Sequence, residues 1–182
     1  MTTIESITTA ERLLQAPSEG PWELVRGELQ MMTPAGYDHG RIASRIFLRL
    51  GIHVEQHGLG EVHGGDTGFQ IRQNPDTVRA PDVAFIASAR IPATRVSGFF
   101  QGPPDLAVEV ISPNDRASQV AAKIQDWLDA GCRTVWVVDP ELHTVTVYRS
   151  RSNIVVLRAT EQLSGDDIVP GFTIAVAELF AG

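Results

Sequence analysis

The chain has 182 residues, 43% of them hydrophobic and 20% charged, and a formal net charge of −7. This length fits one domain over residues 1–182, and this composition excludes a disordered, collagen-like or coiled-coil chain. The acidity argues against a protein that coats nucleic acid without specificity, so any polyanion would need a local basic patch.

No apolar run approaches the roughly 18 residues that span a bilayer, so no membrane partner is expected. The opening MTTIESITTAERLL has no basic segment followed by an apolar core, which argues against a signal peptide. The single cysteine, Cys132, cannot form an internal disulfide, and a cytoplasmic location is expected.

Thr9 is placed to cap a short helix, Ala10 to Gln15, closed by Ala16-Pro17. Trp22 to Met32 reads as two strands joined at Gly27, and Thr33 to Gly36 as a turn. Tyr37 to His57 is the first long helix, because Ile42, Ile46, Leu50 and Val54 recur every fourth residue; Gly58 and Gly60 end it. Strands follow at Glu61 to His63, at Thr67 to Arg72 and at Val78 to Ala87, the last interrupted by Pro81. Asp105 to Ile111 is a strand. Ser112-Pro113-Asn114-Asp115 is a helix start, and Ala117 to Ala130 is the second long helix, with Val120, Ile124, Trp127 and Leu128 on one face. Thr134 to Asp139 reads as a buried strand, His143 to Arg149 and Asn153 to Arg158 as a hairpin, and Phe172 to Ile174 as a strand before a short helix ending at Phe180. The order predicts an α/β fold of the mixed α+β kind, a mixed β-sheet flanked by two long helices.

Two carboxylates fall where carboxylates are expensive. Asp82 opens DVAFIA and Glu109 lies inside LAVEVI, both strands apolar on both faces and therefore central. A buried ionised carboxylate costs several kcal/mol unless compensated. A divalent cation such as Mg²⁺, which takes one or two carboxylates and keeps several waters, would compensate both. Lys123 is the only lysine among fifteen basic residues. It lies at the edge of the apolar face of its helix, where its stem can run along the core and bring the ammonium to a strand end.

These residues resemble a known family. Pro81-Asp82, then Glu109 in EVISP, is similar to the pattern of the PD-(D/E)XK nucleases, and more narrowly to the Uma-type restriction endonuclease family. The likeness runs through WELVRGEL, the helix opened by His39, RAPDVAF, PPDLAVEVISPND, the Lys123 helix, GCRTVWVVDP and PGFTIAVAELF. It implies a restriction-endonuclease-like core that binds Mg²⁺ or Mn²⁺ and hydrolyses phosphodiester bonds, most readily in DNA. It further implies Asp82 and Glu109 as metal ligands with the Val110 carbonyl as a third, Glu28 as a further ligand or water-positioning group, and a homodimer. The pattern departs at Ile111, where the motif has lysine, and the resemblance implies that Lys123 takes that role. A catalytically inactive nucleic-acid-binding or regulatory protein of the same fold is the alternative.

Arg41, Arg45 and Arg49 are spaced by four along one helix side, where they would contact successive phosphates, and Arg116 would extend that patch. The resemblance places His39 near the site. His53 and His57 have metal-ligand spacing but no third ligand. His63 and Asp66 suit a turn, and Cys132 suits the core.

Overall fold

The structure is a computed structural model that describes residues 8–16, 22–32, 34–94, 96–113 and 115–181. Pro17, Thr33 and Asn114, each expected in a turn or helix boundary, lie outside the described residues.

Helix α1 (Ala10–Gln15) is capped by the Thr9 hydroxyl, which accepts from the Arg12 N–H. Strands β1 (Trp22–Val25) and β2 (Glu28–Met31) form the expected hairpin, with Arg26 and Gly27 at positive φ. Helix α2 (Tyr37–His57) has the expected bounds and ends at Gly58 in the left-handed conformation, which glycine adopts without a Cβ clash. Next come β3 (Gly60–Gly64), β4 (Phe69–Arg72), β5 (Thr77–Arg79) and β6 (Val83–Ala87). A short β7 (Phe100–Gln101) precedes β8 (Leu106–Val110), α3 (Ala117–Asp129) and β9 (Thr134–Asp139). The chain closes with β10 (Thr144–Tyr148), β11 (Ile154–Arg158), β12 (Gln162–Ser164), β13 (Thr173–Ala175) and α4 (Val176–Phe180).

The central sheet has the order β11-β10-β9-β8-β6-β3. Only β8 and β9 run parallel in it, joined across by α3. A second sheet has the order β2-β1-β5-β4-β7, and β12 pairs with β13. Strand alternation divides the core. Val108 and Val110 of β8, with Val83 and Phe85 of β6, meet Ile42, Ile46, Leu50 and Val54 of α2. Ala107, with Ala84 and Ile86, points the other way, towards Ile124 and Trp127 of α3. Ala10, Leu13, Leu24 and Val78 form a third cluster that fixes α1 to the second sheet. Among the described residues no helix is long and apolar enough to cross a membrane.

The segment expected as one interrupted strand from Val78 to Ala87 is two strands in two sheets. β5 ends at Arg79 in the second sheet and β6 begins at Val83 in the central one. Pro81 has no N–H for a ladder, so pairing stops there and the chain crosses between sheets. The strand expected at Phe172 to Ile174 lies one residue later, and β7 and β12 were not expected. Both are too short for apolar periodicity to reveal.

Leu50 is fully buried between α2 and the central sheet. Leu50→Ala is expected to lower the unfolding free energy by about 3 kcal/mol in a urea titration, through lost transfer energy and the cavity left behind.

Candidate active site

The break at Pro81 places Asp82. In the β6–β8 register Val83 faces Val108, so the next step sets Asp82 level with Glu109 on the adjacent strand. Pro81 would then face Val110 and has no N–H to give its carbonyl. The Val110 N–H, freed of the ladder, donates instead to Asp82 Oδ2 at 2.7 Å. Two carboxylates and one backbone carbonyl without a β6 donor therefore meet at one end of the central sheet.

Lys123 reaches this point from α3. Its Nζ lies 2.9 Å from Glu109 Oε2 and 3.2 Å from Glu23 Oε1, and donates to the Ala80 carbonyl at 3.1 Å. Glu109 Oε1 accepts from the indole N–H of the buried Trp127 at 2.7 Å. Glu23 also accepts from the Ala80 N–H at 2.9 Å and pairs with Arg79 at 2.7 Å. Arg79 in turn donates from two nitrogens to Asp126 Oδ2. On the α2 side, His39 Nε2 lies 3.1 Å from Asp82 Oδ2. Its Nδ1 is the one buried side-chain polar atom without a partner among the described residues.

The charges do not balance. Glu23, Asp82, Glu109 and Asp126 are four acidic groups that face two fixed cations, Lys123 and Arg79, and the titratable imidazole of His39. The ionisation of the groups reflects this. Burial pushes the Glu109 carboxyl up to about 7; the Lys123 charge opposes the shift, and the Asp82 and Glu23 charges add to it. Burial alone would lower Lys123, but Glu109, Glu23 and Asp82 outweigh it and hold the ammonium well above its usual range. Burial would likewise raise Glu23, yet Lys123 and Arg79 together keep it below the usual carboxylate range. The hydrogen bond that its Nε2–H donates to the Asp82 carboxylate raises His39 despite its burial. Hard oxygen donors with more acidic groups than fixed cations suit a divalent cation such as Mg²⁺, which would also favour the ionised form of Glu109. Among the described residues no three His, Cys, Asp or Glu side chains converge as a metal-binding set, because Lys123 stands between Glu23 and Glu109. The oxygen atoms at this sheet end that could hold a cation are those of Asp82, Glu109 and the Val110 carbonyl. A carboxylate oxygen has two lone pairs, so Glu109 can accept its present bonds and a cation as well.

Other residues singled out from the sequence lie elsewhere. Glu28 is exposed at the start of β2, level with Val25, and makes no hydrogen bond or ion pair with the cluster. Arg41 donates to the carbonyl of Ala181 at 2.6 Å, Arg45 to the carbonyls of Glu178, Leu179 and Ala181, and Arg49 pairs with Glu178. The row expected to meet phosphates is engaged instead at the C-terminal end of α4, whose orphan carbonyls it satisfies. Arg116 is exposed at the N-cap of α3. His53 stacks on His57 and bonds the Pro170 carbonyl. Cys132 is buried, and burial pushes its thiol up to about 12.

Sequence reasoning missed Glu23, Arg79 and Asp126. Glu23 lies in the first strand of the expected hairpin and was not singled out, because its burial depends on what packs on the second sheet. An arginine at 79, three residues before the half-buried Asp82, was the available signal.

The family model described as "Uma2: Putative restriction endonuclease" matches residues 9–177. The chain belongs to this family. Among solved structures, one from Anabaena variabilis, titled a putative nuclease belonging to DUF820, superposes with a TM-score of 0.83. It is 21% identical, and the match covers 94% of this chain and 97% of that one. This chain thus shares the mixed α+β fold of that structure. None of the curated proteins matches the sequence.

Two outcomes follow for the buried cluster. Arg79→Met leaves Asp126 without its cation and Glu23 with Lys123 alone, and is expected to cost about 3 kcal/mol by chemical denaturation. The folded-state carboxyl of Glu23 lies below its ordinary value of 4.5. Its stabilisation is therefore fully present above that value and is lost as pH falls through the folded pKa. A pH series of melting temperatures should fall less steeply below about pH 4.5 in Glu23→Gln than in the wild type.

Proposed function

We propose that this chain is a metal-dependent endonuclease that hydrolyses phosphodiester bonds in DNA. The observation that carries the reading is the meeting of Asp82, Glu109, the Val110 carbonyl and Lys123 at one sheet end, in a cluster with more acidic groups than fixed cations. Family membership and the shared fold support nucleic acid as the substrate class. The printed family description supports internal cleavage. In this reading Asp82, Glu109 and the Val110 carbonyl hold Mg²⁺ or Mn²⁺. Such an ion lowers the pKa of a bound water and offsets charge on the phosphoryl oxygens.

The protein's own groups have distinct tasks. Lys123 keeps its proton at Nζ across the physiological range, because three carboxylates surround it. It therefore orients a water or a phosphate oxygen by donating hydrogen bonds and is not a proton acceptor. It does from α3 what a lysine at position 111 would do from β8. Glu23 fixes the ammonium from the second sheet, and Arg79 with Asp126 fixes Glu23. Trp127 sets the orientation of the Glu109 carboxylate. His39 holds Asp82 Oδ2 together with the Val110 N–H, which leaves Oδ1 for a cation. A second copy of the chain would let two such sites address two strands.

The second reading is a DNA-binding protein that keeps the fold without cleaving. The engagement of both Glu109 oxygens, by Trp127 and Lys123, favours it.

Calorimetry with Mg²⁺ and Mn²⁺ tests the first reading. Wild type should bind one of them, and the Asp82→Ala/Glu109→Ala double variant should not. With metal and plasmid DNA, Lys123→Ala should cut about 10²-fold more slowly at near-normal metal affinity. Metal binding without cleavage of DNA or RNA would favour the second reading. No metal binding even with DNA present would sink the first.

A further inference from the structure

The two central carboxylates and an open groove share one row of the central sheet. Glu109 is level with Val137, Val137 with Thr146, and Thr146 with Val156. Residues level with one another point to the same face, so this row extends the line of Asp82 and Glu109 across three more strands. One step nearer the sheet end, Asp139, Thr144 and Arg158 form a second row. Ile111, two residues beyond Glu109, points to that face as well. There α3 covers β8 and β9 through Ile124 and Trp127. It leaves Thr144 and Thr146 of β10 half-buried and Val156 of β11 55% exposed. Between α3 and these strands runs a groove of about 760 Å³, with Ile111 at its inner end and Val120, Ala121 and Ile124 along its α3 wall.

The chemistry of the groove suits a nucleobase. Its size is that of a small-molecule site, and its walls are mostly apolar. Its mouth is acidic, with Asp115 and Asp139. Asp115 accepts from the Ser112 N–H through Oδ2, and Asp139 from the Glu141 and Leu142 N–H groups through Oδ1. The second oxygen of each has no hydrogen bond among the described residues. Such an oxygen repels a phosphate but accepts from the exocyclic amino group of a base. The Arg158 guanidinium, on the far wall, also has no partner among the described residues, and a planar guanidinium stacks on a base. Ile111 stands where the family pattern has lysine. A lysine would bring a strongly hydrated ammonium to the inner end of the groove, whereas isoleucine keeps that end apolar.

Adjacent strands lie about 4.8 Å apart, so Thr146, two strands from Glu109, is about 10 Å from it. A nucleotide taken out of its stack can cover that distance from a phosphate at the carboxylates. We propose that the groove between α3 and β9–β11 binds an unstacked nucleobase with an exocyclic amino group, from the nucleotide beside the phosphate held at the carboxylates. The substrate class comes from the functional reading above, and the groove adds the base that lies next to the cut. Adenine, cytosine and guanine carry such an amino group, and thymine does not.

Titration with free deoxynucleosides, followed by NMR saturation transfer, tests the groove without phosphate or metal. Deoxyadenosine and deoxycytidine are expected to bind, and thymidine about tenfold more weakly. Ala121→Trp fills the groove from an exposed position on α3, and Val156→Trp fills it from the opposite wall. Each is expected to abolish nucleoside binding at an unchanged melting temperature. Absence of nucleoside binding by the wild type, equal binding of thymidine, or binding that survives both substitutions overturns the proposal. Ala121 and Val156 lie outside the carboxylate cluster, so calorimetric Mn²⁺ binding by these variants reads the metal site separately. Metal binding without nucleoside binding removes the groove and leaves the endonuclease reading standing. Nucleoside binding without metal binding keeps the groove and favours the DNA-binding reading.

Discussion

The ammonium of Lys123 is the interaction on which the rest of this structure depends. It is contributed by α3, and it contacts Glu109 of the central sheet, Glu23 of the second sheet and the Ala80 carbonyl on the crossing between them. Three layers thus converge on one buried cation. Removing two charges from water costs several kcal/mol per ion, and only close pairing with further hydrogen bonds offsets it. Each member of the cluster has such bonds: Trp127 for Glu109, Arg79 for Glu23, the Val110 N–H for Asp82. The cluster holds four acidic groups against two fixed cations, with the His39 imidazole beside Asp82.

Proline 81 supplies the geometry. Because it cannot donate to a ladder, β5 and β6 belong to different sheets, and the residues on either side of it face a common space. Arg79 and Asp82, three positions apart, thereby serve the two halves of one cluster. The β6–β8 ladder ends at Val83 and Val108; beyond it the Val110 N–H donates to Asp82, and Pro81 has no N–H to offer the Val110 carbonyl. A run of apolar strand residues would otherwise have continued through this point and sealed it.

Two sides of α2 are linked to this site through one helix. Its N-terminal turn carries His39 against Asp82, its inner side forms the core with β6 and β8, and its arginines hold the C-terminal end of α4. Those arginines satisfy carbonyls that α4 leaves without intrahelical partners. They are fixed by the fold, and a basic row at helical spacing is therefore no sure sign of a phosphate track.

The sequence by itself determined the long helices and the apolar strands, because period 3.6 and period 2 are local properties of the chain. Tyr37–His57 and Thr134–Asp139 have the bounds their patterns predict. The sequence also singled out Asp82 and Glu109, since a carboxylate inside an apolar strand is conspicuous without knowing its neighbours. Lys123 stood out as the one lysine, and the family pattern gave it a role. Only the tertiary structure decided which acid joins them. Glu23 and Glu28 are both acidic residues of one hairpin. Burial of a hairpin side depends on what packs against it, and here that is α3 with Lys123 and Asp126, about a hundred positions away. Long-range pairing of charges leaves no periodic mark in the sequence, so the partners of a buried ion are legible only once the chain has folded.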